Sequence, residues 1–237
     1  MPQPEQSSIR NHLLKALAPG DFALLQPHLQ PVTTVLHQPL IEADVPIRQL
    51  YFPEVGFGSI VTHGADRKVE VGIVGREGLG GASPILLGTD RTPHEHFVQN
   101  AGMMLVIDTE ALYAAVAESP RLHTLLLRSI QVQFVQTAQT AFANASQSID
   151  VRLARWLLMC HDRAEGDEIR LTHDFVALML GVQRASATIA VQTLEGNGLI
   201  RAQRGRVTIR DRARLREMAN GSYGSAEAEY ARLIGPS

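Results

Sequence analysis

The residues best suited by type and spacing to do chemistry lie between Thr172 and Arg210. Arg184, Thr188 and Gln192 recur every four residues, so on a helix they share one face. That face offers one strong cationic donor and two neutral polar groups, a set that can read base edges in a duplex groove. Ala187, Ala190, Val191 and Leu194 fall on the opposite face, where the two alanines let the helix lie close to a neighbour. Arg201, Arg204, Arg206 and Arg210 surround a tight Gln203-Arg204-Gly205 turn. A planar guanidinium suits a phosphate at such a place.

Other chemistry is thin. Gly88, five residues and then His94-Glu95-His96 match the opening of a cupin metal motif, in which two histidines share a strand face. The expected glutamate is missing, because Asn100 and Ala101 occupy its positions. The pattern reads as ordinary strand histidines exposed on the surface and no metal site, with a cupin-type metal-dependent enzyme as the distant alternative. Cys160 is the sole cysteine, which excludes an internal disulfide and an all-cysteine metal cage. It falls on the apolar face of a helix with Trp156 and reads as core. No nucleophile–base set or phosphate-loop motif is present, so the chain does not read as an enzyme.

Elements must position these residues. Thr172 can cap a helix through Leu180, Gly181 breaks the chain, and a second helix runs from about Gln183 to Glu195 before Gly196-Asn197-Gly198. The runs LIRA and RVTIR then form a hairpin. Upstream, Ile149, Leu153, Trp156, Leu157 and Cys160 mark an amphipathic helix, followed by an AEGDE loop. Ser119-Pro120 opens a long helix. Along it Leu127, Ile130, Phe134, Ala138, Ala141 and Ala145 make a stripe of coiled-coil period, suited to a two-fold partner helix. Gln131, Gln133, Gln136, Thr137, Gln139 and Thr140 read as its outer face. From Val32 to Ile107 the texture is β-rich, with seven short runs (VTTVL, QPLIE, QLYF, GSIVT, KVEVGIV, HFVQ, MMLVI) and a THGADRK hairpin turn. That spacing predicts a sandwich or jelly roll. Residues 9–30 predict one or two short helices, the second capped by Asp21. The last residues, GSYGSAEAEYARLIGPS, predict a loose tail with one weak helical turn around 226–233.

The 237-residue chain carries a formal charge of −2, which at face value disfavours nucleic acid. The distribution reverses that inference. Residues 1–150 sum to −5, residues 151–216 hold twelve arginines and no lysine and sum to +5, and the remainder sums to −2. With no secretory signal, no apolar run of about 18 residues and one cysteine, the expectation is a soluble, reduced, cytoplasmic protein that does not enter membranes.

The segment LTHDFVALMLGVQRASATIAVQTLEGNGLIRAQRGRVTIRDRARL resembles the winged helix–turn–helix of the Crp–Fnr family of bacterial transcription regulators. GVQRASAT, LEGNGLI and RGRVTI carry the likeness most strongly, and the order of parts extends it over residues 10–216. The resemblance implies an α+β chain with an N-terminal antiparallel β jelly roll of cyclic-nucleotide-binding type over 1–118, a long dimerisation helix over 119–147 and a winged helix–turn–helix over 148–216. A flexible tail would occupy 217–237. It implies a homodimer on a near-palindromic duplex DNA site, contacts with RNA polymerase and a small-molecule effector. Carried over by position, Thr172 and Ser186 match phosphate contacts and Arg184 matches the arginine that contacts guanine. Ala185 and Ile189 replace two base-reading residues of the cyclic-AMP receptor branch. Gln183, Thr188 and Gln192 therefore stand as substitutes, with Arg201, Arg204 and Arg206 toward phosphate. In the effector loop Arg91 and Thr92 match phosphate-binding positions, and the Gly80 and Gly81 amides complete the cradle. Gly81 replaces the ribose-binding glutamate, and Pro93 the small residue that follows, so a standard cyclic-AMP site is not expected. No cofactor is required, and a cyclic nucleotide is the alternative. Residues 1–150 lack cysteine, which excludes the iron–sulfur branch; nine histidines leave haem open. The competing reading is an effector-binding or protein-contact module without DNA binding.

Overall fold

Two short helices lead the chain, α1 (His12–Lys15) and α2 (Pro19–Leu25). The computed structural model describes residues 3–64 and 67–235. Asn11 caps α1 through its side chain, which accepts from the Leu14 amide. Pro19, at the first position of α2, moves the start of that helix ahead of the expected cap, leaving Asp21 inside its first turn. The Asp21 carboxylate instead accepts from the Ser119 hydroxyl at 2.6 Å.

The β-rich region forms β1 (Gln30–Thr33), β2 (Pro39–Ile41), β3 (Gln49–His63) and β4 (Lys68–Val74). Helix α3 (Ala82–Leu86) and strand β5 (Glu95–Asp108) complete it. These five strands make one antiparallel sheet, ordered β1-β5-β3-β4 with β2 beside β5. The seven expected runs become five strands, because QLYF and GSIVT fuse in β3 and HFVQ and MMLVI fuse in β5. The intervening Pro53, Gly56 and Gly58 act as bulges, where the β3–β5 register shifts three times, so they bend the strand rather than end it. Gly56 sits at φ +80°, and a Cβ there would fall 2.2 Å from the Asn100 carbonyl oxygen. Of the expected THGADRK turn, Ala65 and Asp66 lie outside the described residues; the pairing of His63 with Lys68 on either side is present.

Helix α4 (Thr109–Glu118) leads into α5 (Pro120–Ser146), whose first turn is capped by the Ser119 hydroxyl. Then follow α6 (Ile149–His161), β6 (Glu168–Arg170), α7 (His173–Leu180) and α8 (Arg184–Gly196). β7 (Ile200–Gln203), β8 (Arg206–Ile209), α9 (Arg212–Met218) and α10 (Ser225–Leu233) end the chain. Glu168, placed in a loop by the sequence, begins β6, which adds a third strand to the β7–β8 hairpin. Among the described residues no single helix is long and apolar enough to cross a membrane.

Two apolar cores result. One joins α1, α2, α4 and the start of α5 to the inner face of the sheet. The other fills the C-terminal helices and continues into the sheet through Phe57, Val61 and Ile73. The expected loose tail is instead docked. Tyr230 and Leu233 of α10 pack on the first core and Ile234 is buried there, so apolar contact with α5 orders a segment whose composition is small and polar.

Candidate nucleic-acid interface

α7 and α8 meet at a bend of 107°. Thr172 caps α7, its hydroxyl accepting from the Phe175 amide at 3.2 Å. Gly181 closes α7 at φ +63°, a left-handed conformation glycine adopts without strain. Ala187, Ala190, Val191 and Leu194 of α8 are buried, as the periodicity predicts. The opposite edge faces solvent, with Gln183, Arg184 and Gln192 exposed and Ser186 and Thr188 half-buried. Gln183 occupies the cap position of α8 but makes no capping bond, which leaves its amide free. Arg201, Arg204 and Arg206 are exposed on the hairpin, and Glu168, Arg170, Gln203 and Arg204 border a shallow groove beside its tip.

Two contacts on this surface were not legible in the sequence. Arg184 Nε lies 3.2 Å from Asp174 Oδ1, and Thr188 Oγ1 lies 3.1 Å from His173 Nδ1. Adjacent residues of α7 thus touch successive residues of the exposed α8 face. The sequence distances, ten and fifteen residues, belong to no helical period; the inter-helix bend creates them. Both members of the Arg184–Asp174 pair are about two-thirds exposed, so it orients more than it stabilises.

The effector candidates separate. Both backbone groups of Gly80 pair with Tyr51, and Gly81 begins α3 at φ +84° with a virtual Cβ 3.0 Å from Ile41 and Leu50. Arg91 is exposed and clasps Asp90 through Nε (2.8 Å) and Nη2 (3.0 Å). Thr92 is buried, and its hydroxyl accepts from the His94 amide. Between α3 and α5 the Ser83 hydroxyl donates to Gln133 at 3.0 Å, and the void beside them holds only about 30 Å³. A cleft of about 870 Å³ is lined by Glu42, Asp90, Asp108 and Glu110 with Arg48, and by none of the four candidates. His96, expected on the surface, is buried in β5, and burial beside His94 lowers its pKa to about 4, so it is neutral. Among the described residues no three His, Cys, Asp or Glu side chains are grouped so as to hold a metal ion.

The C-terminal unit is pinned to the sheet by buried polar groups. Trp156 Nε1 donates to Glu70 Oε1 at 2.7 Å, and Gln99 Nε2 reaches Cys160 Sγ at 3.4 Å. Gln136, expected on the outer face of α5, is buried against the sheet and brackets Ile73, accepting from its amide at 2.7 Å and donating to its carbonyl at 3.2 Å. Phe175 packs against Phe97, His37 and Trp156.

Residues 151–218 match the family described as the Crp-like helix-turn-helix domain. A Crp/Fnr-family protein from Eubacterium rectale superposes with a TM-score of 0.69 at 16% identity, over 88% of this chain and 98% of that one. The c-di-GMP-responsive regulator CLP of Xanthomonas campestris gives 0.65 at 18% identity, over 81% and 99%. A CRP-family transcriptional regulator from Thermus thermophilus gives 0.67 at 18%, over 82% and 99%. Comparison with curated protein sequences gives no match. At these identities the superpositions establish fold. Residues 151–218 are therefore a Crp-like helix-turn-helix domain, carried on a chain with the Crp/Fnr fold.

Proposed function

We propose that the chain is a sequence-specific DNA-binding transcription regulator that works as a homodimer. The observation that carries this is the solvent-facing edge of α8, with Gln183, Arg184 and Gln192 exposed, in a domain of the Crp-like helix-turn-helix family. Arg184, with Gln183, Thr188 and Gln192, reads base edges; Thr172, Ser186, Arg201, Arg204 and Arg206 hold phosphates. Using its hydroxyl oxygen as a cap acceptor leaves Thr172 free to donate its proton to a phosphate. The exposed face of α5 supports dimerisation: Leu127, Phe134, Ala138, Ala141 and Ala145 are exposed and Ile130 is half-buried. Two-fold pairing there places two α8 helices in successive major grooves about 34 Å apart, so the operator is a near-palindrome. The Arg91–Asp90 pair and the filled space beside α3 argue against a standard cyclic-AMP site.

The test is a titration of promoter fragments at several salt concentrations. Specific retention whose logarithmic affinity falls linearly with logarithmic salt supports the reading. Absence of any salt-dependent retention overturns it in favour of a protein-contact module.

A further inference from the structure

The structure holds a second, smaller chamber where its separate parts meet. Val132 and Gln136 of α5 form its floor, and Tyr223, Glu227 and Tyr230 of the C-terminal segment form one wall. His12, Arg76 and Glu77 stand opposite, and Asp162 and Arg163 close the end. Its volume is about 220 Å³, below the roughly 300–1,000 Å³ of drug-sized pockets. At about 30 Å³ per water, it holds a ligand of amino-acid size.

Most charges in the walls are already spent on each other. Arg163 is buried against Glu77 (2.6 and 2.8 Å) and donates to the Met159 carbonyl at 2.7 Å. Asp162 accepts from Arg212 and, at 2.6 Å, from the Tyr223 hydroxyl. Gln136 is committed to Ile73. Four lining side-chain groups have no direct hydrogen-bond or ion-pair partner among the described residues: the His12 imidazole, the Arg76 guanidinium, the Glu227 carboxylate and the Tyr230 hydroxyl. Burial and Arg76 hold the His12 imidazole below its usual pKa, so it adds no second cation at neutral pH. Burial keeps the Tyr230 phenol protonated, as a donor. Arg76, Glu227 (which has no direct ion pair but faces the Arg155 and Arg163 charges) and the Tyr230 donor, beside the apolar Val132 and Ala226, complement a zwitterion with a short apolar body. A dianion such as phosphate meets the Glu227 carboxylate, and a simple cation meets Arg76.

We infer that this chamber binds a small zwitterion of the α-amino-acid class, its carboxylate on Arg76 and Tyr230 and its ammonium on Glu227. Because the walls come from α1, the turn after β4, α5, the α6 end and the C-terminal segment, occupancy favours one placement of the helix-turn-helix unit on the sheet. That regulatory consequence rests on the DNA-binding reading above; the binding site itself does not.

The experiment is thermal unfolding of the full-length protein with each standard L-amino acid at millimolar concentration. The matched carboxylic acids and amines, each lacking one charged group, are run beside them. At least one amino acid raises the midpoint, by about 5–10 °C at a hundredfold excess over Kd, and its single-charge analogues do not. Arg76→Gln and Glu227→Gln each abolish the shift, and Tyr230→Phe weakens it; circular dichroism checks that the variants fold. No shift with any amino acid overturns the proposal, as does a shift that persists in both charge variants or that the analogues reproduce. Promoter binding without ligand is measured in parallel. A ligand shift in a protein that retains no DNA supports the site while removing the regulator reading.

Discussion

Arg184 shows how far a single position carries. Its type and helical phase are local properties, so the sequence placed it on an exposed face, and the structure puts it there. Its partner Asp174 was out of reach, since only the bend between α7 and α8 brings the two side chains together. Arg184→Ala should lower affinity for the cognate site by about 1–3 kcal/mol and relax base preference at one position in each half-site. Site selection from random sequence measures this; an equal loss on every sequence makes Arg184 a phosphate contact instead. Glu70 was equally hidden, because in β4 it alternates with valines like any solvent-facing strand residue. In the fold Trp156 and the helix-turn-helix unit cover it, and burial raises its pKa from 4.5 to about 7 against the opposing Trp156 bond and the Arg155 and Arg163 charges. The folded state therefore binds more protons than the unfolded state between these values, and stability falls as pH rises from about 4.5 to 7. Glu70→Gln keeps an acceptor for the indole and removes the buried charge. Urea titrations at pH 8 should find it more stable than the parent by about 1–3 kcal/mol, with the two curves converging near pH 4.5. Equal stability at both pH values would mean that Glu70 is hydrated.

Elements with strong local signals were legible: the capped α7, the α8 period, the hairpin and the long α5 follow from Thr172, Gly181, Gly205 and Ser119-Pro120. Those decided by contact were not. Composition makes GSYGSAEAEYARLI a loose tail with one weak helical turn around 226–233, and contact with the apolar surface of α5 docks it as α10. The strand count failed for the same reason, since Gly56 and Gly58 end a strand in sequence but bend one across from β5. Gly181 belongs to both classes. Its turn is local, yet its Cα faces β4, and a Cβ would lie 2.8 Å from Val69 Cγ2. Gly181→Ala should cost about 1–3 kcal/mol, part from the left-handed backbone and part from this contact. Val69→Ala in the same chain should recover the second part, read as a coupling energy in a double-mutant cycle. Additive effects would show that α7 stands clear of β4.

At the scale of the whole molecule, the +5 of residues 151–216 and the −5 of residues 1–150 make the charge distribution strongly uneven. A net of −2 then restrains indiscriminate association, while the arginine-bearing surface attracts phosphate locally. Under the proposed function such a surface would read a palindrome only when doubled, which puts the weight on α5. The stripe set by its period keeps apolar surface exposed, with Phe134 67% exposed and Phe142 beside it 55% exposed, while Leu122, Leu126 and Val132 are buried against the chain's own core. α10 covers a different flank, where Arg128 donates to the Leu233 carbonyl, and leaves Phe134 exposed. On the proposed dimer, a second copy would bury this exposed mid-helix phenylalanine. Phe134→Glu sets two carboxylates against each other across a two-fold axis and should convert the protein to a monomer in sedimentation, with its circular dichroism unchanged because Phe134 contributes little to its own core. DNA affinity should fall with it, since a single helix-turn-helix unit meets one half-site and loses the gain of simultaneous binding. A Phe134→Glu protein that stays dimeric would move the interface off this face of α5.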